Sequence, residues 1–192
     1  MVRIGTLIVA VAVVLGAGCS DDDGAIPEGT TTTRQPTMSS GPATSSTTSA
    51  DAESDVTRRY EAFWDARFDA NQAPADPDDP ALSELATGAQ FAEVLEETRN
   101  NRDEGIAFRR PQDSVYERRV TVISDDGDVA RLQDCVTNDG IVYRVDTGEI
   151  IDDSVGTSSL EATMRRVDGV WKLESTKLLQ HWDGVSGCAL AG

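Results

Sequence analysis

Cys19, which closes the run Leu15-Gly16-Ala17-Gly18, is the residue whose type and setting best suit a reaction. Its thiol can take a diacylglycerol group, and cleavage just before it frees an amine for further acylation. The small side chains of Gly16, Ala17 and Gly18 let an extended backbone enter a peptidase cleft. Two other cysteines, Cys135 and Cys188, remain as an even pair. In an oxidising exterior they would bridge and pin the C-terminal tail to the strand carrying Cys135; two unpaired buried thiols are the alternative. His181, in Gln180-His181-Trp182-Asp183, is the single histidine, the side-chain type best suited to proton transfer near neutral pH. It falls after the expected last strand, where it is either a candidate acid/base or, more simply, a surface or tail-packing side chain. Asp134 beside Cys135 is either a buried carboxylate with a raised pKa or, more simply, a solvent-facing or turn-capping residue. Tyr60, Trp64, Phe68 and Trp171 could line an apolar ligand cavity; the plainer reading makes them core.

The rest of the inventory excludes more than it supports. A formal charge of −17 leaves no basic patch for phosphate contacts, so nucleic acid is not an expected partner. An anionic membrane surface would repel the domain as well. Asp76-Pro77-Asp78-Asp79, Asp125-Asp126-Gly127-Asp128 and Asp152-Asp153 invite a calcium reading, but none has the twelve-residue loop with a distal Glu of an EF-hand. They read as acidic turns, and no metal or cofactor is expected. No Gly-x-Ser-x-Gly, phosphate loop, Cys-x-x-Cys or His-Glu-x-x-His occurs.

The segment that presents Cys19 is legible in turn. Arg3 supplies one positive charge, and residues 4–18 carry none. An apolar run of about 15 residues is short for a bilayer span, which needs roughly 20, and suits a signal sequence. Leu15 to Cys19 resembles the bacterial lipobox in a relaxed form, with Gly16 where the leucine usually stands. The resemblance implies a lipoprotein, anchored outside the cytoplasm by acylated Cys19. Residues 1–18 are then the leader, and 19–52 a tether filled with Thr, Ser and Pro. Such a tether has too little apolar surface to repay ordering.

Residues 53–192 are expected to form one domain. Val56, Tyr60, Phe63, Trp64 and Phe68 recur at helical spacing and predict a helix over 54–70. Asp79-Pro80 predicts the N-cap and first position of a short helix through Ala86. A third helix over 89–102 would bury Phe91, Val94, Leu95 and Thr98 and stop at Gly105. Strands are then expected at 106–109, 115–124, 129–137, 141–145, 158–167 and 170–179, as a meander with hairpin spacing. Asp-Gly pairs at Asp126-Gly127 and Asp168-Gly169 supply tight turns, Asn138-Asp139-Gly140 another, and 146–156 a loop. Helices first and antiparallel strands after them predict an α+β fold, with N-terminal helices packed on a curved sheet.

Two segments carry a resemblance at this level: Tyr60-Glu61-Ala62-Phe63-Trp64, and Arg166-Val167-Asp168-Gly169-Val170-Trp171-Lys172-Leu173. An aromatic helix followed by a meander with a Gly-x-Trp hairpin resembles the NTF2-like (cystatin-like) superfamily, many actinobacterial lipoproteins included. That resemblance implies a pocket between helices and sheet, used by some members for isomerase or cyclase chemistry and by others for dimerisation. Fold alone does not choose among these. The expected function is therefore non-catalytic binding of a small apolar ligand or an envelope protein partner. An isomerase- or cyclase-like enzyme using an in-cone carboxylate or His181 is the alternative, and a homodimer through the sheet face is a third.

Overall fold

The computed structural model describes residues 48–188; the leader, Cys19 and the tether up to residue 47 lie outside the described residues. The aromatic stripe does build a helix, α1 (Thr48–Ala70), which begins before the expected Ser54. Ala50, Ala52 and Glu53 favour helix and let it extend upstream. Val56, Tyr60 and Phe63 are fully buried, whereas Trp64 and Phe68 are half-buried. Ala66 and Ala70 stay buried further along α1, so Trp64 and Phe68 stand at the edge of the core.

Asp79 caps α2 (Pro80–Leu85) by accepting from the Ala81 N–H at 2.9 Å, with Pro80 in the first turn. α3 (Gly88–Glu104) stops at Gly105, whose left-handed φ of 65° lets its N–H reach the carbonyls of Asn101 and Arg102. Val94 and Thr98 of α3 are buried, while Phe91 and Leu95 are only half covered. Arg59 ties the helices to the sheet: its guanidinium donates to the carbonyls of Glu84 and Trp171.

The strands are β1 (Ile106–Arg109), β2 (Glu117–Asp125), β3 (Val129–Asn138), β4 (Ile141–Arg144), β5 (Ile150–Asp152), β6 (Gly156–Val167) and β7 (Val170–Asp183). All pairs are antiparallel, and the α+β expectation holds. The single meander does not. The strands form two sheets, in the orders β2-β3-β6-β7 and β1-β4-β5. Asn138-Asp139-Gly140 is a corner, not a hairpin: β4 leaves β3 and pairs with β1, and β3 pairs instead with β6 from Val129↔Arg165 to Asn138↔Gly156. The buried Asp139 carboxylate holds this corner by accepting from the Ser114 hydroxyl and the Val115 N–H. β5 lies within the segment expected to be a loop. β7 runs four residues beyond the expected Leu179 by passing a bulge there, which curves the sheet.

Side-chain parity along the large sheet fixes its two faces. Ala130, Leu132, Asp134 and Val136 of β3 face the helices, with Ala162 and Met164 of β6 and Trp171 and Leu173 of β7. Cys135, Thr157 and Ser159 point to the opposite face yet are buried. The C-terminal tail covers them. Cys188 is bridged to Cys135, Thr157 donates to the Gly184 carbonyl at 2.8 Å, and a Cβ on Gly187 would sit 2.7 Å from the Trp182 indole. The expected Cys135–Cys188 disulfide is present. No described helix is long and apolar enough to cross a membrane.

Candidate functional site

Beside Trp64 and Phe68, between α1 and the large sheet, lies a half-open cavity of about 180 Å³. α1 contributes Trp64, Arg67 and Phe68, the inner face of β3 Val136 and Asn138, and β6 Ser158 and Leu160. Arg110 and Tyr116, from the segment joining the two sheets, and Arg118 of β2 close the remaining side. Trp64 and Arg67 also wall a second cleft of about 230 Å³, lined by Gln90, Glu93, Val94, Glu97 and Thr176. The partition between the two clefts is a forked pair: Arg67 Nε and Nη2 bond Glu97 Oε2 and Oε1 at 2.7 and 2.5 Å.

Of the four aromatics expected at a pocket, Trp64 and Phe68 line this cavity; Tyr60 and Trp171 are core. Arginines from three segments stack on its rings. The Arg118 guanidinium lies 4.6 Å from the Trp64 ring centre, and that of Arg67 5.5 Å from it. Arg110 sits 4.4 Å from Phe68 and 3.8 Å from Tyr116. These are cation–π distances, which hold a guanidinium against a ring without an anion.

Behind Arg118 stands the group the sequence misplaced. Asp134 is 0% exposed rather than solvent-facing, and its Oδ2 accepts both the Tyr60 hydroxyl and Arg118 Nη1 at 2.8 Å. Oδ1 is buried without a donor among the described residues. Burial pushes the Asp134 carboxyl above its ordinary value, against the pull of Arg118 and the Tyr60 hydroxyl. The same burial, with the Asp134 charge beside it, pushes the Tyr60 phenol far up, so it stays a donor. Asp134 faces its two partners and is not part of the cavity lining.

His181 belongs to β7 opposite Ser158, not to a tail after the last strand. Its Nδ1 lies 3.0 Å from the Ser158 hydroxyl, and its ring covers Gly156 so closely that a Cβ there would fall 2.5 Å from Cε1. The imidazole is 52% exposed, and Asp183 stands 3.8 Å from Nε2, beyond a hydrogen bond. The acidic turns spend their carboxylates on backbone amides: Asp126 accepts from Asp128 and Val129, which holds its carboxyl below the usual range, and Asp152 accepts from Ser154. Among the described residues no group of three metal-ligating side chains converges.

Arg67, Arg110, Tyr116, Arg118, Ser158 and Leu160 were not singled out from sequence. Parity carried a signal for some of them. Tyr116 and Arg118 continue the inward row of Val120 and Val122, and Ser158 and Leu160 that of Ala162 and Met164. A polar side chain on an apolar row near a strand end points to a site.

No family model and no curated protein matches the chain. Among solved structures, the intermembrane space region of the chloroplast protein ARC6 superposes with a TM-score of 0.52 over 66% of this chain and 95% of that one, at 12% identity. At that identity the likeness is one of fold. A Kribbella flavida protein aligns at 0.45 over 69% of this chain and 95% of that one, at 15% identity. An NTF2-like protein with a cystatin-like fold from Novosphingobium aromaticivorans aligns at 0.39 over 71% and 92%, at 19% identity.

Proposed function

We propose that this chain is an exported bacterial lipoprotein with an NTF2-like domain, held to the membrane through Cys19, and that the domain binds a small apolar molecule without transforming it. The observation that carries the binding reading is the cavity at Trp64, Phe68 and Tyr116, where an otherwise closed helix–sheet interface stays open. A dry cavity of about 150 Å³ accepts benzene, so about 180 Å³ suits a ligand with a single ring. The bridge between Cys135 and Cys188 supports export, because such bonds persist in oxidising compartments. It also leaves Cys19 as the one cysteine outside the pair.

Filling the cavity tests the binding reading. Single-ring probes, charged or neutral, should raise the melting temperature of the wild-type domain, since a ligand at a hundred times its Kd adds about 2.7 kcal/mol. Leu160→Trp, which places an indole in the cavity, should melt near the wild type and show no shift with any probe. A wild-type protein that no such probe stabilises removes the binding function. The anchor has its own test. Cells fed a fatty-acid analogue should label the wild-type chain and leave Cys19→Ala unlabelled and released from membranes; a labelled, membrane-bound Cys19→Ala protein rejects the site.

A further inference from the structure

The charges around the cavity do not balance. Arg67 is spent on Glu97 and Arg118 on Asp134, whereas Arg110 has no carboxylate within 4.0 Å among the described residues. Its Nη1 is buried and has no hydrogen-bond acceptor among the described residues. Arg110 is thus the arginine of the cavity lining without a paired carboxylate among the described residues. The local sequence makes its position a fixed one. Pro111 restricts the backbone of Arg110 to extended conformations, and the side chain is clamped between the rings of Phe68 and Tyr116. Ring faces hold a guanidinium but do not neutralise it, and a buried donor without an acceptor remains a cost. The missing counter-charge is one unit.

Resting on the apolar-cavity reading above, we propose that the ligand is a small organic acid, one ring or a short apolar chain bearing a single carboxylate. The carboxylate pairs with Arg110, and the body lies against Trp64, Val136 and Leu160. Asn138 is a further polar side chain on the same lining. A planar guanidinium suits a carboxylate because two N–H groups match two oxygens. A phosphate monoester is the poorer fit. Its second negative charge would need a second cation, and the other two arginines of the lining, Arg67 and Arg118, are already paired with Glu97 and Asp134. Glycans and other polar neutral ligands leave both the aromatic walls and the Arg110 charge unused.

The test is calorimetric titration of the folded domain with matched pairs: benzoate against benzamide, and phenylacetate against 2-phenylethanol. Inorganic phosphate and acetate serve as anions without a ring. The wild type should prefer each acid over its neutral partner by about tenfold or more, as a charge-assisted bond requires. Arg110→Gln should erase that preference, acid and neutral partner then binding alike, and Arg110→Lys should restore part of it. Equal wild-type affinity for acid and neutral partner overturns the acid assignment and leaves the apolar cavity standing. An acid preference that survives in Arg110→Gln refutes Arg110 as the reader. Phosphate or acetate binding as tightly as benzoate reduces the site to an anion patch. Failure of every probe removes this inference together with the reading beneath it. The wild-type comparison stands even if a variant fails to fold.

Discussion

Asp134→Ala should lower the stability of the domain by about 3–5 kcal/mol, the cost of removing one partner from a buried ion pair. The carboxylate is 0% exposed, and the Arg118 side chain that answers it only 8%. Alanine would strand a buried guanidinium and leave the Tyr60 hydroxyl without its acceptor. Asp134→Asn should cost less, because the amide oxygen still accepts from Tyr60. The two proteins should also differ in pH dependence. Burial raises the Asp134 carboxyl above 3.8, so the native state keeps a proton that the unfolded chain releases. The stability of this group is then greatest below 3.8 and declines as pH rises towards the raised native value. The advantage of wild type over Asp134→Asn should therefore shrink with rising pH across that window, since the carboxamide does not titrate. Urea unfolding of both proteins between about pH 4 and 7 measures it. An advantage that grows with pH would mean that Arg118 outweighs burial and holds the carboxyl low.

Asp134 also shows where sequence reading stops. Its place in the row Ala130, Leu132, Asp134, Val136 argued for an inward side chain, while its charge argued for an outward one. The decision lay with partners 74 and 16 residues away, Tyr60 and Arg118, which no local pattern displays. Features encoded within a few residues were legible: the α1 stripe, the Asp79-Pro80 start, the Gly105 stop and the Asp168-Gly169 turn, whose positive φ values at both residues suit a two-residue hairpin. Strand partners were not. Asn138-Asp139-Gly140 has the composition of a hairpin turn, and only Ser114 and Val115, reaching Asp139 from upstream, make it a corner between sheets. The cavity followed the same division. Trp64 and Phe68 were readable as its candidates from one helix, but its arginines come from three segments that the fold alone brings together.

Cys135→Ala and Cys188→Ala should each cost about 4 kcal/mol, and the double variant scarcely more, because a single bond is lost in all three. The bridge joins residues 53 apart, and the loop-closure entropy it withholds from the unfolded chain has that size. The loss should come from the unfolded state and not from the cavity, since the bridge lies on the outward face of β3, opposite Asp134 and Val136. Native contacts other than the bridge also dock the tail: Thr157 on Gly184, and Trp182 over Gly187. Those contacts should keep the tail in place in the variants and leave ligand affinity near the wild-type value. Denaturant curves of the oxidised and reduced wild type supply the control: reduction should move the protein onto the curve of the double variant. Two results would count against this account. Unequal single variants would show that one cysteine has a packing role of its own. A double variant that loses binding with its stability would place the tail's hold on β3 and β6 among the determinants of the cavity, whose floor these two strands provide.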